Sequence, residues 1–303
     1  MLTLEFLQQL PIPVFREQLP SFLAGFIDSG SAGDGARLVA ASVADWTDEQ
    51  AESVRTHLLS LGEEPRVYPA HPLCRSVSRA WCRDVVTDVE IRGIDALLRA
   101  RAAGPVLILS NHLSYFDTTA TDAALHRHGA TELADALLAL AGPRVYDDAF
   151  RRFAAACLST LPVPQSTTFE HTARMSPRDL ARRTIASVRA THDAARSGAV
   201  PILYAEGSRS RSGRLGPFLR AVHRYLGCAD MQVIPTAITG TSAMMPVGEA
   251  TLKPGRVTLC FGEPIEAGRA RSKQALEESW LQIADLLPEE HAPPVDTDPS
   301  ASL

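Results

Sequence analysis

The sequence predicts an α/β protein in which a central mixed sheet is flanked by helices and preceded by a small helical N-terminal domain. Three observations predict it. Apolar residues in the first eighty positions recur at helical spacing. From residue 86 onward, short apolar runs alternate with helical patterns, as helices layered on a sheet require. The 303 residues are 45% hydrophobic and 21% charged, enough apolar material for a sizeable core.

Element by element, "EFLQQL", "SFLAGFI" and "ARLVAASVADW" read as helices, with "SGSAGDG" (29–35) as a loop. "TDEQAESVRTHLLSLG" opens on a Thr cap, carries Glu and Gln in its first turn and stops at Gly62. The proline-rich "EEPRVYPAHP" (63–72) is the best boundary, and "PLCRSVSRAWCRDVV" is a helix leading in. "VTDVEIRG" alternates like a strand, "IDALLRAR" is helical and "GPVLILS" is a buried strand. "FDTTATDAALHRHG" is a helix, "ELADALLALAG" suits helix or strand, "DDAFRRFAAACL" is a helix and "STLPVP" a short strand. A long helix runs from Ser176-Pro177 to Gly198. "AVPILYAEG", "QVIPTAITG" and "RVTLCFGEPI" are strands, and "SKQALEESWLQIADLL" is the last helix. The expected domains are 1–80 (helical), 81–287 (α/β) and a disordered tail, 288–303.

Composition narrows the class. Cys74, Cys82, Cys157, Cys228 and Cys260 are scattered, with no CxxC and no His/Cys cluster, so neither a disulfide framework nor a metal site is expected. The N-terminus lacks a basic leader region, and no apolar run reaches membrane-spanning length. The expectation is a soluble, cytoplasmic protein. The net charge of −5 conceals an uneven distribution: residues 144–224 carry 14 arginines against 6 acidic residues, a balance of +8. Such a segment in an acidic chain points to anionic ligands. Nucleic acid is not among those expected, because no reader motif is present and the whole chain is acidic.

The chemistry concentrates at two strand ends. In "LILSNHLSYFDTTATDAAL" (107–125), His112 and Asp117 are five residues apart. On a helix they would diverge by about 140°, and on a strand they would take opposite faces. A strand-to-helix turn can bring them together. A carboxylate on one imidazole nitrogen fixes the tautomer and leaves the other to take a proton. The alternative is a polar turn in which Asp117 caps the helix. In "PILYAEGSRSRSGRLGPF" (201–218), a second strand ends in Glu206, Gly207, Ser208, Arg209 and Arg211, with Arg214 following. Two arginines with a spacer can fork onto a phosphate. A solvated basic loop is the alternative. No G-x-S-x-G elbow surrounds Ser208 or Ser210, and Cys157 reads as core, so no covalent nucleophile is indicated.

The ordered set "NHLSYFD", "EGSRS" and "VIPTAI" resembles the glycerolipid acyltransferase family over roughly residues 85–265. The helical N-terminal region and "ELADALLALAGPRVYDDAF" are similar in layout to soluble plastid-type glycerol-3-phosphate acyltransferases. The resemblance implies an O-acyltransferase without cofactor or metal. His112, held by Asp117, would deprotonate an acceptor hydroxyl that attacks the thioester of acyl-carrier protein or acyl-CoA. Arg209 and Arg211 would hold the acceptor phosphate, most simply that of glycerol 3-phosphate. Glu206, Gly207 and Ser208 would shape that pocket. The plastid branch also has a Lys-His pair, whereas the corresponding "PVPQSTTFEHTAR" has none; His171 and Arg174 are the nearest basic residues. Tyr115, Phe116, Phe150 and Phe153 are candidates for an acyl groove, with core packing as the alternative. Lipid-like products lead to the expectation of transient peripheral membrane contact. Two other readings stay open: an acceptor other than a glycerol derivative, in a specialised pathway, and a non-catalytic acyl-carrier- or lipid-binding protein.

Overall fold

The computed structural model describes residues 4–25, 32–147, 149–164, 175–249 and 251–294. Helices lead, as the spacing predicts: Leu4–Gln9 (α1), Ile12–Ala24 (α2), Ala32–Ala44 (α3), Asp48–Ser60 (α4) and Pro72–Val85 (α5). α4 begins at a reciprocal capping box. Thr47 Oγ1 accepts from Gln50 N–H at 3.2 Å, and Gln50 Oε1 accepts from Thr47 N–H at 2.9 Å. α3 begins at Ala32, so the loop expected over 29–35 is shorter at its C-terminal side. Neither Gly33 nor Gly35 stops a helix anchored by the buried Val39 and Val43.

Strands and helices then alternate: Val86–Arg92 (β1), Ile94–Ala103 (α6), Val106–Ser110 (β2), Asp117–Arg127 (α7), Thr131–Ala136 (α8), Leu137–Ala141 (β3), Ala149–Cys157 (α9), Ser159–Pro162 (β4), Pro177–Arg196 (α10) and Val200–Tyr204 (β5). Gln232–Thr239 (β6), Thr241–Met244 (α11), Gly255–Phe261 (β7), Ile265–Glu266 (β8) and Ser272–Leu286 (α12) complete them. The ambiguous "ELADALLALAG" divides, its polar half forming α8 and its apolar half β3.

Among the described residues the sheet runs β1-β7-β6-β2-β5-β3-β4, with β8 also on β6. It is mixed: β6 pairs antiparallel with β7 and β8, and the other pairs are parallel. Pro235, in the middle of β6, sits where that strand's antiparallel partner changes from β8 to β7. A missing N–H is tolerated there, and the Pro235 carbonyl accepts from Gly262 N–H at 2.7 Å. β2 is buried on both faces: Val106 and Ile108 join one apolar core, Leu107 and Leu109 the other.

The N-terminal helices share the first of these cores with α5, α7 and α9. Backbone bonds join the connector to the sheet edge, Tyr68 exchanging both with Thr160 at 2.8 Å. The buried Arg152 guanidinium donates to the carbonyls of Leu58 (2.9 Å) and Leu61 (2.7 Å), satisfying orphan acceptors at the end of α4. Beyond α12, residues 288–294 lie against the 213–215 loop. Arg214 Nη1 donates to the carbonyls of Glu289 (3.2 Å) and Ala292 (3.1 Å), and Leu215 N–H donates to that of His291 (2.9 Å). The remainder of the tail expected to be disordered, 295–303, lies outside the described residues.

Candidate active site

Three strand ends converge. In register, Ser110 at the end of β2 pairs with Tyr204 of β5 on one side and Thr236 of β6 on the other. The turns after β2 and β5 therefore leave the same edge, where ligand sites of α/β sheets form. Asn111 extends the ladder with its side chain: its Nδ2 donates to Ile238 O at 2.9 Å and its Oδ1 accepts from Ile238 N–H at 2.8 Å. This makes Asn111 a structural residue, fixing where the next residue points.

The next residue is His112. Its Nδ1 lies 2.8 Å from Asp117 Oδ2. The same oxygen accepts from the N–H groups of Leu113 (2.8 Å) and Ser114 (3.0 Å), while Oδ1 accepts from the Thr241 hydroxyl at 2.5 Å. Four donors around a carboxylate with 0% exposure offset its desolvation and fix its orientation. Asp117 is the first residue of α7, not its cap; the side chain reaches back to the turn's own amides. Because Asp117 accepts throughout, Nδ1 is assigned the proton, and Nε2 carries the lone pair. The Tyr204 ring stacks on the imidazole, with centroids 4.3 Å apart and planes 19° from parallel. Burial, reinforced by the Asp117 charge, pushes the Tyr204 hydroxyl well above the usual phenol range, so this neighbour stays neutral. Its hydroxyl pairs with Thr118 Oγ1 at 2.8 Å.

The second turn is clamped to the first. Glu206 Oε1 accepts from His112 N–H at 2.8 Å, and Oε2 from Gly216 N–H at 3.0 Å. Burial raises the Glu206 carboxyl above its ordinary range, against the opposing effect of those two amides. Ser210 N–H returns a 2.8 Å bond to the His112 carbonyl. Gly207 lies at φ +72°, a backbone conformation that favours glycine, and a Cβ there would displace the exposed Leu219 side chain, whose Cδ1 lies 2.1 Å from that position.

Arg209 lies in this clamped turn, its guanidinium carbon 3.6 Å from the centroid of the Tyr115 ring. Ser208 and Arg211 are exposed beside it. Arg214 is instead bound to the C-terminal segment. His171 and Arg174 lie outside the described residues. Of the aromatic groove candidates, Phe116 and Phe153 are core residues at 4% and 2% exposure, and Tyr115 is 39% exposed. The Phe150 side chain lies outside the described residues. Burial pushes the Cys157 thiol far up, which leaves it inert as a nucleophile. Among the described residues no His/Cys/Asp/Glu group could hold a metal ion, and no helix is long and apolar enough to cross a membrane.

Sequence reasoning missed Thr241, Tyr204 and Gly216. Thr241 is 124 positions from the aspartate it serves. Only the third motif block, which ends just before it, hints that β6 also delivers a residue here.

This architecture has relatives. Residues 88–239 match the acyltransferase family. A chloroplastic 1-acyl-sn-glycerol-3-phosphate acyltransferase of Brassica napus is 34% identical over 76 residues, 25% of this chain and 22% of that protein. One from Arabidopsis thaliana, also chloroplastic, is 33% identical over 76 residues, 25% of this chain and 21% of its own length. The matches thus span about a fifth of these relatives. The crystal structure of the 1-acyl-sn-glycerophosphate acyltransferase PlsC from Thermotoga maritima superposes with a TM-score of 0.47 at 15% identity, covering 89% of this chain and 97% of that one. The chain belongs to the glycerolipid (PlsC-like) acyltransferase family.

Proposed function

We propose that the protein transfers a fatty acyl group from a thioester, of acyl-carrier protein or CoA, to the hydroxyl of a phosphate-bearing glycerol acceptor. One observation carries this reading: the buried Asp117 carboxylate holds His112 Nδ1 at 2.8 Å, beside a turn carrying Arg209 and Arg211. Nε2 takes the acceptor's hydroxyl proton as the oxygen attacks the thioester carbonyl, and Asp117 stabilises the imidazolium. The tetrahedral intermediate collapses, the C–S bond breaks, and the thiolate leaves with the proton from His112. Arg209 and Arg211 bind the acceptor phosphate by charge-assisted hydrogen bonds. Glu206 and Gly207 shape the turn that carries them.

Glycerol 3-phosphate is the smallest acceptor of this kind. The relatives' names favour a second, 1-acyl-sn-glycerol 3-phosphate. The test offers both, with their phosphate-free counterparts glycerol and monoacylglycerol, to the purified protein with acyl-CoA and acyl-carrier-protein donors. Product is followed by mass spectrometry. The reading expects transfer to a phosphate-bearing acceptor and little to its counterpart; equal transfer to both would remove the phosphate from the account.

A further inference from the structure

Tyr115 sits in the turn between His112 and Asp117, exposed by 39%. Single exposed aromatics are common, but this ring is covered by cations. The Arg209 guanidinium carbon lies 3.6 Å from its centroid and that of Arg151, from α9, lies 5.3 Å away. Among the described residues no carboxylate pairs with Arg209, whose partner there is the Tyr115 ring. The distinction matters chemically. A carboxylate would occupy the in-plane N–H edges through which a guanidinium binds phosphate. An aromatic face holds the cation from above and leaves those edges open.

We propose that Tyr115 is a positioning residue: stacking on its ring fixes Arg209 and leaves its N–H edges to bind the acceptor's phosphate. The inference rests on Arg209 being a phosphate ligand. Arg151 adds a second cation to the same ring.

The test compares Tyr115→Leu, Tyr115→Phe, Arg209→Ala and the double variant Tyr115→Leu/Arg209→Ala, reading acceptor KM, donor KM and kcat separately. Tyr115→Leu is expected to raise acceptor KM about two- to tenfold, the scale of a lost cation–π contact. Donor KM and kcat stay near wild type, as loss of uniform binding requires. Tyr115→Phe keeps the ring and the wild-type acceptor KM, and the double variant is no worse than Arg209→Ala alone. Two results would overturn the proposal by itself: a Tyr115→Leu effect on donor KM alone, meaning an acyl-groove wall, or a Tyr115→Phe defect equal to Tyr115→Leu, meaning the hydroxyl acts. An Arg209→Ala variant with unchanged acceptor KM would overturn the phosphate-ligand reading first, and the proposal with it.

Discussion

Asp117 does two jobs at once, and substitutions separate them. Asp117→Asn keeps the shape but replaces one acceptor oxygen with a donor and removes the charge that, in the proposed mechanism, supports the imidazolium. Transfer is expected to fall by about 10²–10⁴, read as kcat/KM, while far-UV circular dichroism is unchanged. Thr241→Val removes the donor to Oδ1. It leaves a buried carboxylate oxygen unpaired, which costs about 1–3 kcal/mol of stability in urea unfolding. Gly207→Ala places a methyl against Leu219 at a positive φ. The Leu219 side chain gives way, but the backbone is strained at that φ, so acceptor KM is expected to rise more than donor KM.

At the scale of elements, α5 is joined to α7 and α8 by charge. Arg79 makes a bidentate pair with the buried Asp122 (2.9 and 2.7 Å) and a further bond to Asp135 (2.9 Å). Asp122→Ala would leave that guanidinium with only the exposed partner, a loss of about 1–3 kcal/mol; an unfolding midpoint within error of wild type would contradict this. Nothing in the sequence marks this pair, because 43 residues separate partners that also read as ordinary surface charges. The strands around the site were legible for the opposite reason. "VLILS" and "VPILY" are continuous apolar runs that can be buried on both faces only in a sheet. The His112–Asp117 spacing excluded both regular elements and so pointed to the turn that is observed. The partners of that turn could not be read, since Tyr204 comes from β5, Gly216 from the loop after it and Thr241 from the start of α11.

At the scale of the whole molecule, the helical N-terminal region carries a pH dependence. His57 of α4 and His71 at the start of α5 lie 5.4 Å apart, and His57 Nε2 and His71 Nδ1 are buried without partners. Burial, and for His57 also the neighbouring His71, lowers both below the ordinary value of 6.5. Burial lowers His192 in the same sense. The unfolded chain therefore takes up protons first on acidification. The stability linked to these rings is complete above pH 6.5 and is lost as pH falls through the lowered folded values. Thermal midpoints are expected to drop between about pH 7.5 and about pH 5.5, with a smaller drop for His57→Gln; equal slopes would contradict the assignment. The arginine-rich segment, legible in sequence only as a charge excess, separates in the fold. Arg152 satisfies the end of α4, Arg214 holds the C-terminal segment, and Arg209 stacks on Tyr115 in the turn between His112 and Asp117.

The central claim is that His112 is the base that activates the acceptor. Its most direct test is acyl transfer to a phosphate-bearing glycerol acceptor by His112→Ala, measured with the thermal midpoint of the same preparation. A loss of at least about 10² in rate is expected with a midpoint close to wild type, since the imidazole contributes one of four hydrogen bonds to Asp117. Undiminished transfer by a folded His112→Ala variant would contradict it.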